Sequence, residues 1–286
     1  MRIAQLAELF RSSDVVDEID IPRGKQAQLL ARVAGLYERT GLIADGRTPA
    51  LWKCCPRSED CWRAALDSRP RDVRGRAGVT LPWIGPEYRE GGVAVLLINL
   101  RDAGGLFAEY EITCETSGEG SQLNELAAGK RKALGSRAAY GSARSAAAIQ
   151  DWIAGDEICD REDPRELVPA LKSTVRLQAV KCSPQDGRRS SPTPEMAANC
   201  PALLLERELA ILKPRCVLTL GEAPWLAIKQ LPGYTEDDDW TDRFSCGHWH
   251  SQACEHIVFS LDHPVSGDHW DRGHQDLLAH LRRAPR

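Results

Sequence analysis

The side chains with the widest chemical reach in this sequence are cysteine and histidine, ten and seven of them in 286 residues. All seven histidines lie after residue 247, so imidazole chemistry comes only from the C-terminal part. His263 stands out because Asp262-His263-Pro264 directly follows the apolar run His256–Leu261. A histidine turned out at a strand end can donate a hydrogen bond to charge developing on an oxygen. The plain alternative is a polar residue that ends a strand. Five more donors crowd together late in the chain: Cys246, His248, His250, Cys254 and His256. Their types suit zinc, and with it a zinc-dependent enzyme. Yet Cys246-x-His248-x-His250 alternates as a strand or hairpin does, and the set matches no standard finger spacing. Cys54, Cys55 and Cys61 form an early group, and Cys182 and Cys200 stand 18 apart. Without a secretory signal, metal ligation or core packing is expected of such cysteines rather than a disulfide framework. Cys114, Cys159 and Cys216 are read as packing residues.

Arginine supplies the third group. Arg188, Arg189, Ser190 and Ser191 occupy a loop just before a predicted helix start, which places cations and free backbone donors together. That combination suits phosphate; a solvated loop is the alternative. Lys130-Arg131-Lys132 is a second candidate with the same alternative.

The elements that must position these residues alternate between strand and helix. Four apolar runs read as strands: Val93–Asn99, Val175–Lys181, Cys216–Leu220 and His256–Leu261. Helices are predicted from about Gly24 to Thr40, over Tyr140–Ile153, over Thr193–Lys213, from Ala223 onward and through Asp271–Arg283. In Thr193–Lys213, Met196, Cys200, Leu203, Leu204, Ala210 and Ile211 are the predicted buried stripe, and Pro214 ends the helix. Such alternation implies a mostly parallel sheet covered on both faces, with ligands outside the carboxyl ends of its strands. An amide, a cysteine and a histidine would then converge on one edge. The net charge of −4 and pI near 6.0 exclude a broadly basic coat. The longest apolar run, Val93–Ile98, is far too short to span a membrane. The opening MRIAQLAELF carries charge early and lacks a long apolar core, so a cytoplasmic protein is expected.

From Val180 to Pro224 the sequence reads VKCSPQDGRRSSPTPEMAANCPALLLERELAILKPRCVLTLGEAP. This block resembles one in the uracil-DNA glycosylase superfamily, especially its iron–sulfur branches. The shared order is VKC, a loop with arginine and proline, a helix opening P-x-E, a second cysteine, then KP and a strand ending in LG. Asp262-His263-Pro264 looks like that family's motif at the last strand, and Leu97-Ile98-Asn99 stands in the place of its first motif. The resemblance covers roughly residues 50–286.

The resemblance implies an α/β fold: a three-layer αβα sandwich around a central four-stranded, mostly parallel sheet. It would comprise residues 47–286, with residues 1–46 as an N-terminal helical extension. It also implies a monofunctional DNA glycosylase that flips a base out of the stack and hydrolyses its N-glycosidic bond. His263 would donate to the leaving pyrimidine oxygen, and Asn99, with Asp102 as the alternative, would orient water. Gln178 stands where related branches carry a base-reading asparagine, and Tyr140 lies near the place of a stacking phenylalanine. Arg188, Arg189 and Ser190 would meet phosphates. Trp270 would wedge into the duplex or else pack under the last helix. The branch pairs Cys182 and Cys200 with two early cysteines to hold a structural 4Fe-4S cluster; here these would be Cys61 and one of Cys54 and Cys55. Zinc on the same thiolates is the alternative. The altered Gln178 position leaves two substrates open. One is uracil, hence base-excision repair; the other is a larger modified pyrimidine, hence defence against phage DNA. A catalytically weak nucleic-acid-binding protein of the same fold is the rival reading. DNA is the expected partner of a monomer.

Overall fold

The computed structural model describes residues 24–44, 48–49, 81–98, 134–181, 192, 194–237, 241–251 and 254–285. In chain order, β1 (Ile43–Ala44) and β2 (Thr48–Pro49) form a small antiparallel pair. The four apolar runs then become β4 (Val93–Leu97), β5 (Thr174–Gln178), β6 (Cys216–Leu220) and β9 (Glu255–Leu261). Every residue of β4, β5 and β6 is buried. That is why β4 reads as an unbroken apolar stretch and β6 nearly so, whereas β5 buries Thr174, Arg176 and Gln178 at alternate positions.

Among the described residues the sheet has seven strands, not the four expected, in the order β3 (Trp83–Ile84), β5, β4, β6, β9, β8 (Phe244–His250) and β7 (Tyr234–Glu236). β4, β6 and β9 run parallel, with Val93 opposite Cys216 and Cys216 opposite Ile257. The added strands are β3, β7 and β8. β8 returns antiparallel beside β9, and β7 beside β8. An antiparallel neighbour needs only a short turn, so the sheet extends without a crossover helix. Strands of two and three residues are too short to show a period in the sequence.

The described residues form two compact units. One takes those within Met1–Ile84, Leu97–Ile112 and Leu177–Leu212; the other takes those within Gly85–Leu96, Thr113–Arg176 and Lys213–Arg286. In the first unit, α1 (Gly24–Arg39) buries Leu29, Leu30, Val33, Leu36 and Tyr37. The long helix expected over Thr193–Lys213 is three pieces: α4 (Pro194–Cys200), a π-helical turn over Pro201–Leu205, and α5 (Glu206–Leu212). Pro201 has no N–H to give to the preceding turn, which loosens the helix there. The wider turn rotates the residues that follow. The buried face becomes Met196, Pro201, Leu204, Leu205, Glu208, Leu209 and Leu212, while Leu203, Ala210 and Ile211 are only half-buried.

In the second unit, α2 (Leu134–Ala154) and α3 (Pro164–Lys172) pack together, and β6 is touched by α2 and by α6 (Glu222–Lys229). α7 (Asp268–Arg283) carries Asp268 and Asp271 in its first turn and His280, Arg282 and Arg283 in its last. These charges oppose the helix dipole at each end. Trp270, His274, Leu277, Leu278 and Leu281 recur at helical spacing on its buried side. No described helix is long and apolar enough to cross a membrane.

Candidate active site

Because β4, β6 and β9 are parallel, their carboxyl ends share one edge. The chain leaves β6 at Gly221, whose φ of 98° only glycine takes readily. Its amide donates to the Leu261 carbonyl at 2.7 Å, which ties the end of β6 to the end of β9. A Cβ at Gly221 would lie 3.6 Å from the His263 Cβ, so the path after β6 runs beside this histidine. His263 is half-buried. Its carbonyl accepts from the Ser266 amide at 2.8 Å and from the Ser266 hydroxyl at 2.6 Å, closing a single 3-10 turn over Pro264–Ser266. The backbone beneath the imidazole is therefore held.

A second layer holds that turn from below. Gly141 of α2 lies against Pro264 so closely that a Cβ there would come within 2.6 Å of the Pro264 Cβ and 3.0 Å of the Trp270 ring. Trp270 is buried and stacked on His274, with ring centroids 5.1 Å apart. The Arg144 guanidinium sits 5.8 Å from the Trp270 ring centre. A wedge into DNA would have to leave this stack. The packing alternative for Trp270 is thus the arrangement present.

Ser145, His274 and Asp160 form a chain: Ser145 Oγ lies 3.0 Å from His274 Nδ1, and His274 Nε2 lies 3.1 Å from Asp160. The carboxylate can only accept, so Nε2 carries the proton and Nδ1 accepts from the serine. Arg144 meets Asp160 through two bonds of 2.6 and 2.7 Å, and Gln275 adds a third donor at 3.0 Å. Burial works to raise the Asp160 carboxyl, but Arg144, Gln275 and His274 hold it well below the usual carboxylate range. Burial and then Arg144 lower the His274 imidazole, against the pull of Asp160, and keep it neutral. The residue types are those of a nucleophilic triad, yet Ser145 and His274 are sealed from solvent. The network therefore braces α2 and α7 under the His263 turn. Sequence reasoning missed it, since its members stand 114 and 129 residues apart and no spacing betrays them.

Beside the same edge, Arg243 meets Asp262 at 3.3 Å. A cavity of about 570 Å³ opens there, lined among others by Gly221, Trp225, Lys229, Ser260 and Asp262. Tyr140 lies elsewhere. It packs on the apolar cluster of α2 and α3, and its hydroxyl donates to the Glu162 carbonyl at 3.1 Å.

In the first unit, Gln178 is the last residue of β5 and is buried. Just beyond it, the Ala179 amide donates to the Leu97 carbonyl at 2.7 Å and the Val180 amide to the Ile98 carbonyl at 2.8 Å. The exit of β5 thus stays joined to the exit of β4, one residue short of Asn99. Cys200, at the end of α4, is half-buried and its sulfur accepts the Lys181 amide at 3.2 Å. Lys181 itself is buried and meets Glu208 at 2.7 Å, while the Tyr37 hydroxyl donates to the other carboxylate oxygen. Burial pushes the Glu208 carboxyl up, against the pull of Lys181 and Tyr37. Asn99, Asp102, Arg188, Arg189, Ser190, Cys54, Cys55, Cys61, Cys182 and the Lys130–Lys132 run lie outside the described residues.

The late cysteine–histidine set is split by the sheet. In the β8–β9 register Trp249 faces His256, so His256 shares the Trp249 side. Cys246, His248 and His250 take the opposite side by the two-residue alternation. Among the described residues, no three cysteine, histidine or carboxylate side chains gather as a metal site.

Over 57 residues the chain is 44% identical to a protein of Pyrobaculum aerophilum named type-5 uracil-DNA glycosylase. The match covers 20% of this chain and 24% of that protein, so the chain matches about a quarter of its curated relative. No protein-family model matches the chain.

Proposed function

We propose that this chain is a monofunctional DNA glycosylase that hydrolyses the N-glycosidic bond of uracil or a modified pyrimidine. The carrying observation is the His263–Pro264 turn at the carboxyl end of β9, beside the glycine that ends β6. The similarity to a protein named as a uracil-DNA glycosylase supports the same reading. In the reaction the bond from C1′ of the deoxyribose to the base nitrogen breaks and a water oxygen joins C1′. The sugar gains oxocarbenium character while negative charge grows on the pyrimidine oxygen. The His263 imidazole donates to that oxygen, and its held backbone spares reorganisation as the charge appears. Asn99, one residue past the joined exits of β4 and β5, orients the water. Gln178 meets the base edge, and Arg188, Arg189 and Ser190 meet phosphates around a flipped nucleotide.

Cys182, Cys200, Cys61 and one of Cys54 and Cys55 would hold a 4Fe-4S cluster, with zinc as the alternative metal. The Cys200 sulfur accepting a backbone N–H fits a ligating thiolate, since such bonds support cluster sulfurs. The cluster would serve structure, because glycosidic hydrolysis needs no electron transfer.

Gln178 is one methylene longer than the asparagine of related branches, which moves its amide by about 1.5 Å. Buried as it is, this side chain supports a pocket that prefers a pyrimidine enlarged at C5, as in modified phage DNA, over uracil. The test incubates the full chain with oligonucleotides carrying uracil and a panel of modified pyrimidines, and identifies released bases by mass. Base release from any panel member, with Gln178→Asn shifting preference toward uracil, is the expected result. No release, with DNA binding intact, would overturn the glycosylase reading. Efficient uracil release with no better substrate would return the chain to uracil repair.

A further inference from the structure

At the opposite edge of the sheet, before β9 begins, Cys254 Sγ lies 3.1 Å from His256 Nε2. His256 Nδ1 lies 2.6 Å from the Pro214 carbonyl oxygen. A carbonyl can only accept, so Nδ1 carries the proton of the neutral ring. Nε2 is then the acceptor, and its lone pair meets the thiol hydrogen. The tautomer is thus set by a residue 42 positions away. The imidazole is fully buried and stacked on Trp249, with centroids 4.8 Å apart and planes 13° from parallel. The thiol is partly exposed. Its backbone is held by Ser251, whose hydroxyl accepts the Cys254 amide at 3.1 Å and donates to the Cys254 carbonyl at 2.8 Å.

We propose that Cys254 and His256 form a nucleophilic thiol site that takes small disulfides, independent of the base-release reading. Three features point the same way. A proton acceptor is aimed at the sulfur, a third group fixes that acceptor, and the nucleophile reaches solvent; this is the arrangement of an activated cysteine. Once the proton moves to Nε2, the imidazolium has the Pro214 carbonyl on one nitrogen, the thiolate on the other, and the indole face of Trp249 against its ring. Burial lowers the His256 imidazole and opposes this charge. Tyr88 also interacts electrostatically with the thiol, and burial raises the Tyr88 phenol and keeps it neutral. Arg215, next to Pro214, turns its guanidinium over Trp152 at 5.0 Å. His248, His250 and Glu255 meet one another on the other side of the sheet. Of the other described cysteines, Cys246 meets the Asp237 carboxylate, and burial together with that carboxylate pushes its thiol up. Cys216 is buried and its thiol is pushed up to about 12 by burial, Cys246 is buried, and Cys159 is exposed.

In the reaction, the Sγ–H proton passes to His256 Nε2 and the thiolate attacks one sulfur of the disulfide. The old S–S bond breaks, a new one forms to Cys254, and the departing thiolate takes up the proton. One disulfide is exchanged for another, with no further oxidant.

The test treats the full chain with oxidised glutathione and reads Cys254 and Cys159 separately by peptide mass. At pH 7 Cys254 should form its mixed disulfide about tenfold faster than Cys159. His256→Gln should bring Cys254 down to the rate of Cys159. Equal rates in the wild type, or a folded His256→Gln variant that reacts as the wild type does, would overturn the proposal. Should His256→Gln fail to fold, the wild-type rates decide: Cys254 about tenfold ahead of Cys159 at pH 7 sustains the proposal, and equal rates reject it.

Discussion

Glu208→Gln tests the buried charge pair of the first unit. Glu208 and Lys181 have side chains 0% and 1% exposed and meet at 2.7 Å. The replacement keeps size and keeps an oxygen for the Tyr37 hydroxyl, but leaves the ammonium without an anion. Removing one partner of a buried pair costs about 3–5 kcal/mol. An independent bound agrees with this. Discharging an ordinary lysine at pH 7, from its usual value near 10.4, costs about 4.6 kcal/mol, the most the protein need lose before the amine simply gives up its proton. The bound shrinks to about 1.9 kcal/mol at pH 9. Glu208→Gln should therefore lower the midpoint of thermal unfolding by about 6–20 °C at pH 7, and by markedly less at pH 9. Lys181→Met combined with Glu208→Leu should recover most of the loss, because neither charge then remains to be desolvated. The assay is denaturant and thermal unfolding of the wild type, both single variants and the pair at both pH values. A single-variant loss below about 1 kcal/mol at pH 7, or a loss that does not shrink with rising pH, would refute the reasoning.

His263→Ala should slow single-turnover base release by about two to three orders of magnitude while sparing DNA affinity, because the donor acts on charge present only in the transition state. Gly141→Ala should push Pro264 away from α2, cost about 1–3 kcal/mol in unfolding experiments, and slow base release about tenfold or more with little change in DNA affinity. An unchanged rate would free the His263 turn from this contact. Asp160→Asn should destabilise the protein by about 2–3 kcal/mol at pH 7. Its folded carboxyl is depressed, so this stability is present above about pH 4 and lost as pH falls below it. The gap between variant and wild type should therefore narrow in acid. His274 and His256 are both lowered by burial, and each contributes stability that is lost as pH falls below about 6.5. Wild-type unfolding midpoints should decline over that range, and a flat profile from pH 7 to 5 would contradict both assignments.

The sequence by itself determined the central strands and the position of His263 after the last of the parallel ones. A strand buried on both faces tends to be apolar along its length, so Val93–Leu97 and Cys216–Leu220 announce themselves locally, while Thr174–Gln178 buries three polar side chains and does so less plainly. Parallel strands put their carboxyl ends on one edge, and His263 follows the last of them whatever the packing details. The alternation at Cys246, His248 and His250 was legible as a strand, though not its partner. Tertiary structure alone decided the rest. Pro201 widened one helical turn, and the stripe beyond it rotated away from Ala210 and Ile211. Trp270 went into a stack because Gly141 lets α2 approach, a fact of close contact and not of spacing. The polar partners were least legible of all. Tyr37 finds Glu208 across 171 residues and Ser145 finds His274 across 129. Periodicity records only which face a residue presents. Which buried donor meets which acceptor is set by the cost of leaving a desolvated polar group unmatched, and the matches named here join segments the sequence does not place side by side.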